Sequence, residues 1–168
     1  MNSSKSWTVL ALIIGISGLG LSGYTLFFAL PANTQRSGIQ NVWHASNTVT
    51  SVALSNSDVV LPNLSIVATV NPGESLHVIF NSEAYINLET NPEYIRIRVS
   101  LNGHKKGPPA TVGGWPDHDD HVVWEHLTLQ YSNLTIIPGV YNVSIKATSS
   151  DASGNSIYDM SLLVFTTM

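Results

Sequence analysis

The sequence predicts an all-β fold, an antiparallel β-sandwich of immunoglobulin-like or jelly-roll type, preceded by one N-terminal transmembrane helix. Three observations predict it. An uncharged apolar run extends from Trp7 to Leu30; a two-residue hydrophobic period recurs through most of the chain beyond that run; and Asn, Pro and Gly cluster between the periodic stretches. Long apolar runs match the bilayer, period two matches a half-buried strand, and Asn-Gly or Pro-Gly pairs match chain reversals.

Residues 1–6 read as a short cytoplasmic head and residues 7–30 as the transmembrane anchor. No Asp, Glu, Lys, Arg or His lies between Lys5 and Arg36. As a helix at about 1.5 Å per residue the run reaches roughly 36 Å, beyond a hydrocarbon core of about 30 Å. A cleaved signal has an apolar region of roughly 7 to 15 residues followed by small residues, whereas here apolar residues continue from Val9 to Phe28 and Leu30. An uncleaved signal-anchor is therefore expected, with the head inside and the long C-terminal part outside, since long domains cross largely regardless of charge. Lipidation has no cysteine to use. Gly18-Leu19-Gly20-Leu21-Ser22-Gly23 has the spacing of a dinucleotide fingerprint, but no strand precedes it to deliver the glycines to a helix N-terminus. Ala11, Gly15, Gly18 and Ser22 make a small-residue stripe at helical spacing, a candidate helix-packing face that would support a homo-oligomer.

Residues 31–47 are polar and turn-rich, with Asn33, Thr34, Gln35, Gly38 and Asn41, and read as a stalk or linker. Trp43 within it has two alternatives, closing over the bottom of the domain or sitting at the membrane interface. Residues 48–168 read as one extracytoplasmic domain. Its expected strands are 49–54, 64–70, 76–86, 94–101, 127–131, 141–148 and 157–165. The clearest sets Ile95, Ile97, Val99 and Leu101 against Tyr94, Arg96, Arg98 and Ser100. Val143, Ile145 and Ala147 alternate in the same way with Asn142, Ser144 and Lys146, as do Leu127 and Leu129 with Thr128 and Gln130. Asn71-Pro72-Gly73, Asn91-Pro92, Asn102-Gly103, Pro138-Gly139 and Ser153-Gly154-Asn155 punctuate the strands.

Composition excludes several classes. With no cysteine in the chain there is no disulfide, thiolate nucleophile, Cys-based zinc site or blue-copper centre. Setting aside Lys5 and Arg36, the seven basic residues fall to five against eleven acidic ones, which argues against nucleic acid as a partner. No nucleophile elbow, P-loop or H-E-x-x-H is present, so the chain is expected not to be an enzyme, and no resident cofactor is expected beyond a divalent metal.

The densest polar constellation is Asp117, His118, Asp119, Asp120 and His121, with Glu125 and His126 after it. Carboxylates suit Ca²⁺ and imidazoles suit Zn²⁺ or Cu²⁺, which makes this run the candidate metal site. The competing reading is a solvated loop whose like charges keep it from pairing as a sheet edge. Trp115, Trp124 and Tyr131 are candidates for a sugar-stacking platform, although Trp124 is expected in the core, where an indole buries large apolar area. His44, His77 and His104 read as surface residues. Asn63, Asn133 and Asn142 each satisfy N-x-S/T and are candidate glycosylation sites in an exterior location.

The apolar stretch Leu19 to Leu30, the short polar stalk, and the phrases Asn71-Pro72-Gly73-Glu74-Ser75 and Pro138-Gly139-Val140-Tyr141-Asn142-Val143 before strands together resemble single-pass, N-terminally anchored archaeal-type surface proteins with an extracytoplasmic β-sandwich. The resemblance is architectural and spans the whole chain. Some proteins of this layout resemble trimeric jelly rolls of the tumour-necrosis-factor kind. Archaeal type IV pilins also join an apolar helix to a β domain, but this chain lacks their basic residue with a glycine or alanine processing site directly before the run, where Lys5-Ser6 stands instead. The resemblance implies a non-enzymatic, cell-membrane-tethered module for binding, adhesion or surface assembly. Its partners would be membrane lipid through residues 7–30 and a protein or glycan at the cell surface. A pilin-like filament or oligomer subunit, or a divalent-metal-binding surface domain, are the alternatives.

Overall fold

Buried and exposed residues alternate along most of the chain that the computed structural model describes, residues 38–48, 51–88, 92–115, 122–150 and 154–168. The apolar run 7–30, with Ala11, Gly15, Gly18 and Ser22, lies outside the described residues, as does the run Asp117 to His121. Among the described residues no helix is long and apolar enough to cross a membrane. The elements there are all strands: β1 (Ile39–Asn47), β2 (Val52–Ala53), β3 (Val59–Val70), β4 (Ser75–Asn87), β5 (Glu93–Leu101), β6 (His104–Gly114), β7 (Val122–Asn133), β8 (Gly139–Ser149) and β9 (Ser156–Thr167).

Every pairing is antiparallel. One sheet has the order β1-β9-β4-β7, with β2 also on β9, and the other has the order β3-β8-β5-β6. We refer to them as the first and second sheet. Their inner faces supply one contiguous core. Leu76, Val78, Phe80 and Ile86 of β4 and Leu162 and Val164 of β9 meet Leu64 of β3, Ile95 and Ile97 of β5, and Val143 and Ile145 of β8, all almost fully buried. Each such side chain contributes roughly 1.5–3 kcal/mol by leaving water, so the alternation visible in the sequence also fixes which face turns inward.

Turn chemistry closes the strands as expected. Asn71-Pro72-Gly73-Glu74 reverses β3 into β4, with Gly73 at φ 84° and the Glu74 N–H donating to the Asn71 carbonyl at 3.1 Å. Asn102 and Gly103, at φ 50° and 84°, make the two-residue hairpin between β5 and β6. At the opposite end, Asn155 is 1% exposed and ties several strands together. Its Nδ2 donates to Glu93 Oε2 at 2.9 Å and to Ser149 Oγ at 2.6 Å, while its Oδ1 accepts from the Asn87 N–H at 2.8 Å.

Four local readings of the sequence differ from the structure. Residues 39–47, read from composition as part of a stalk, form β1 against β9, with Trp43 and Ala45 packed on the core. A turn-rich composition hid a strand whose pairing partner is the chain's far end. β6 had no periodic signature because Pro108 and Pro109 interrupt it. It is an edge strand, where a missing N–H costs no ladder bond. Its residues 107–109 bulge opposite Arg98, between the pairs Ile97–Ala110 and Val99–Lys106. Ser100, expected on the wet face, is fully buried beside its cross-strand neighbour Ser144. Trp124, expected in the core, is 57% exposed on the outer face of the first sheet, because it shares a face with His126 and Thr128 while Leu127 and Leu129 take the inward positions.

Candidate functional site

The outer face of the second sheet carries a groove of about 310 Å³. Strand register builds it. Arg98 on β5 sits beside Lys146 on β8, and two residues along the same face Arg96 sits beside Thr148. Lys105, just past the β5–β6 hairpin, reaches over this face, and its Nζ meets Asp58 Oδ2 at 2.5 Å. Asp58 precedes β3, so this ion pair links the approaches to the two edge strands of the sheet. The Lys146 ammonium donates to the Gly103 carbonyl at 2.9 Å. The Arg96 guanidinium lies 5.0 Å over the ring of Tyr94 at the rim.

Charge distinguishes this groove from the rest of the surface. Arg96, Arg98, Lys105 and Lys146 line it, and Asp58 is the lone acidic lining residue among those described. The chain as a whole has formal net charge −4, so its fixed charge is strongly segregated. One lining atom, Arg98 Nε, is buried without a hydrogen-bond partner, and so is Ser100 Oγ beneath the surface farther along β5. Such groups are uncommon in folded proteins, and leaving one unsatisfied costs about 1–3 kcal/mol.

The outer face of the first sheet has a different character. Trp124 of β7 meets Tyr85 of β4 edge-on at 5.1 Å between ring centroids, and Tyr158 of β9 at 5.4 Å. One row away His126 faces Glu83 across strands, with Nδ1 and Oε1 3.9 Å apart. Asp159, at φ 43°, forms the β9 bulge beside them. Farther along, His77 stacks on Phe165 at 4.8 Å and hydrogen-bonds Ser132 and Thr167, both at 2.9 Å.

The three aromatic candidates are not gathered in one place. Trp115 is 78% exposed after β6, Trp124 lies in the first sheet, and Tyr131 packs against the core beside Gly107, so the three do not share a platform. The aromatic group that does form pairs Trp124 with Tyr85 and Tyr158. Asp117, His118, Asp119, Asp120 and His121 lie outside the described residues; among the described residues no three His, Cys, Asp or Glu are placed to hold an ion. Asn63 is exposed at φ 60° in the β3 bulge. Asn142 is exposed on β8 and accepts from Ser65 Oγ at 2.5 Å. Asn133 is half-buried at the end of β7, and its Oδ1 accepts from the Thr135 N–H at 3.1 Å.

The basic groove was not foreseen from sequence. The positions of Arg96 and Arg98 on the wet side of one strand were legible, but Lys146 is about fifty residues away and joins them only through the β5–β8 register. Compared with known proteins, the chain matches no family model and no curated protein sequence.

Proposed function

We propose that this protein is a membrane-tethered, extracytoplasmic β-sandwich of archaeal surface type, a non-enzymatic module for binding, adhesion or surface assembly. Residues 7–30 hold it in lipid and the domain stands outside the cell. One observation carries the reading. At the end where the described chain begins, β1 and β4 both start opposite Thr167, β7 ends opposite Leu76, and β3 ends opposite the first residue of β8. That end exposes Ile39, Leu134, Ile137 and Val140, each more than 60% accessible. Across residues 38–42, 66–76, 132–141 and 166–168 the one Asp, Glu, Lys, Arg or His side chain is Glu74, and it is buried. An end that exposes apolar side chains, with Glu74 buried and His77 at its border bonded to Ser132 and Thr167, suits a domain held close to a bilayer, and exposed apolar patches of this kind commonly mark contact surfaces.

The finer fold reading we adopt is the jelly roll. Except for the β5–β6 hairpin, successive long strands alternate between the two sheets, and the orders β1-β9-β4-β7 and β3-β8-β5-β6 interleave early and late strands. That interleaving suits eight strands in two Greek keys better than the consecutive sheet neighbours of immunoglobulin domains. A second reading, a homo-oligomer or filament subunit, is favoured by the half-exposed row of Val42, Phe165, Leu163 and Ile79 on the outer face of the first sheet.

Alkaline carbonate washing of membranes from cells that express the full chain tests the tether. The full-length protein is expected in the pellet; its release into the supernatant overturns the reading.

A further inference from the structure

We propose that the groove on the outer face of the second sheet, across β8, β5 and the start of β6, is an oxyanion-binding site. It takes one sulfate, phosphate or carboxylate group, free or carried on an acidic sugar. The anion chemistry is independent of where the protein resides; the sugar as carrier rests on its display at the cell surface.

The basic side chains supply the first argument. Apart from Lys5 and Arg36 the chain has five, and four of them, Arg96, Arg98, Lys105 and Lys146, line this groove. Such a concentration in a net-acidic chain is a local inversion of sign, and it focuses attraction for an anion on one place. Partnering supplies the second. Asp58 is taken by Lys105, and neither Arg96 nor Arg98 has a carboxylate partner among the described residues. Arg98 goes further: its Nε is buried and unpartnered. A donor enclosed by protein yet lacking an acceptor points to an acceptor that is not part of the chain. Arginine presents its N–H groups as a planar fork, matched to two oxygens of one carboxylate, sulfate or phosphate.

Size and surroundings narrow the ligand. The volume of about 310 Å³ is at the lower end of ligand pockets, suited to a single small anion or one sugar residue. A long polyanion would meet the acidic remainder of the surface as well as the groove. Tyr94, 38% exposed at the rim, offers an apolar edge beside the guanidinium of Arg96, where a sugar ring can rest while its anionic substituent enters.

Calorimetric titration of the full chain in a nonionic detergent tests this. The probes are sodium sulfate, sodium phosphate, glucuronate and glucose 6-sulfate, with sodium chloride at equal ionic strength as reference. Saturable binding is expected for at least one oxyanion and not for chloride. Arg96→Gln and Arg98→Gln should each weaken it at least tenfold, Arg98→Lys should weaken it severalfold by keeping the charge but losing the fork, and Lys106→Gln, outside the groove, should leave it unchanged. Tighter binding of glucuronate or glucose 6-sulfate than of the inorganic ions identifies a sugar carrier; the reverse identifies a free anion. Heats that follow ionic strength alone overturn the proposal, as does wild-type affinity in Arg96→Gln or in a folded Arg98→Gln. Should Arg98→Gln fail to fold, the exposed Arg96→Gln variant decides. A chain that binds anions yet washes off membranes would sink the display reading and leave this one standing.

Discussion

Glu74 compresses local and long-range structure into one side chain. It closes the Asn71-Pro72-Gly73 turn, and its carboxylate accepts from the Asn71 N–H and from Asn71 Nδ2, both at 3.0 Å. Burial pushes its pKa up, but hydrogen bonds from the Asn71 backbone, the Asn71 side chain and Thr166 outweigh that and hold it below its ordinary 4.5. Because the folded value is depressed, the ionised form adds stability at neutral pH, and that contribution is lost as pH falls below 4.5 and through the folded value. The Glu74→Gln variant is therefore expected to unfold at a lower temperature than the parent at pH 7, with the gap narrowing on acidification toward pH 3. A gap that stays constant with pH, followed by circular dichroism, would count against this role. The turn was legible in the sequence because Pro72 and Gly73 preset their own backbone angles. The contact with Thr166 was not, since it depends on β9 lying beside β4. The same limit applied to Arg98: its outward direction could be read from alternation, but its lack of a partner could not.

At the scale of the element, β4 is the strand on which the first sheet depends. It pairs with β9 on one side and β7 on the other, and Leu76, Val78, Phe80, Ala84 and Ile86 enter the core while His77, Ile79, Glu83 and Tyr85 face out. Phe80→Ala should destabilise the domain by about 3–5 kcal/mol, whereas Val67→Thr, on an outer face, should stay within roughly 0.5 kcal/mol. Comparable losses from both substitutions in thermal melts would show that the assignment of inner and outer faces is wrong. Strands such as β4 and β5 were readable because apolar residues fill most inward positions, with Ser82 and Glu93 the buried polar exceptions. β1 and β6 were not: β1 offers Trp43 and Ala45 but closes on buried Asn47, and β6 carries two prolines in a bulged edge. In those strands tertiary pairing supplies what local preference lacks.

For the whole molecule, apolar surface and fixed charge are distributed unevenly. One end is apolar and free of exposed charged side chains; the outer face of the second sheet gathers the basic residues; the first sheet displays the Trp124 aromatic group beside Glu83 and His126. The proposed reading puts a stem in lipid and this β domain in water, with its faces turned to different neighbours. Sidedness is its most direct consequence, and a chain without cysteine allows it to be measured without background. Single-cysteine variants Ser3→Cys, in the proposed head, and Val67→Cys, on an exposed outer face, can be treated with a membrane-impermeant maleimide on intact cells and again after permeabilisation. The account predicts that Val67→Cys is labelled on intact cells and Ser3→Cys only after permeabilisation. Val67→Cys unreactive until the membrane is opened would contradict it.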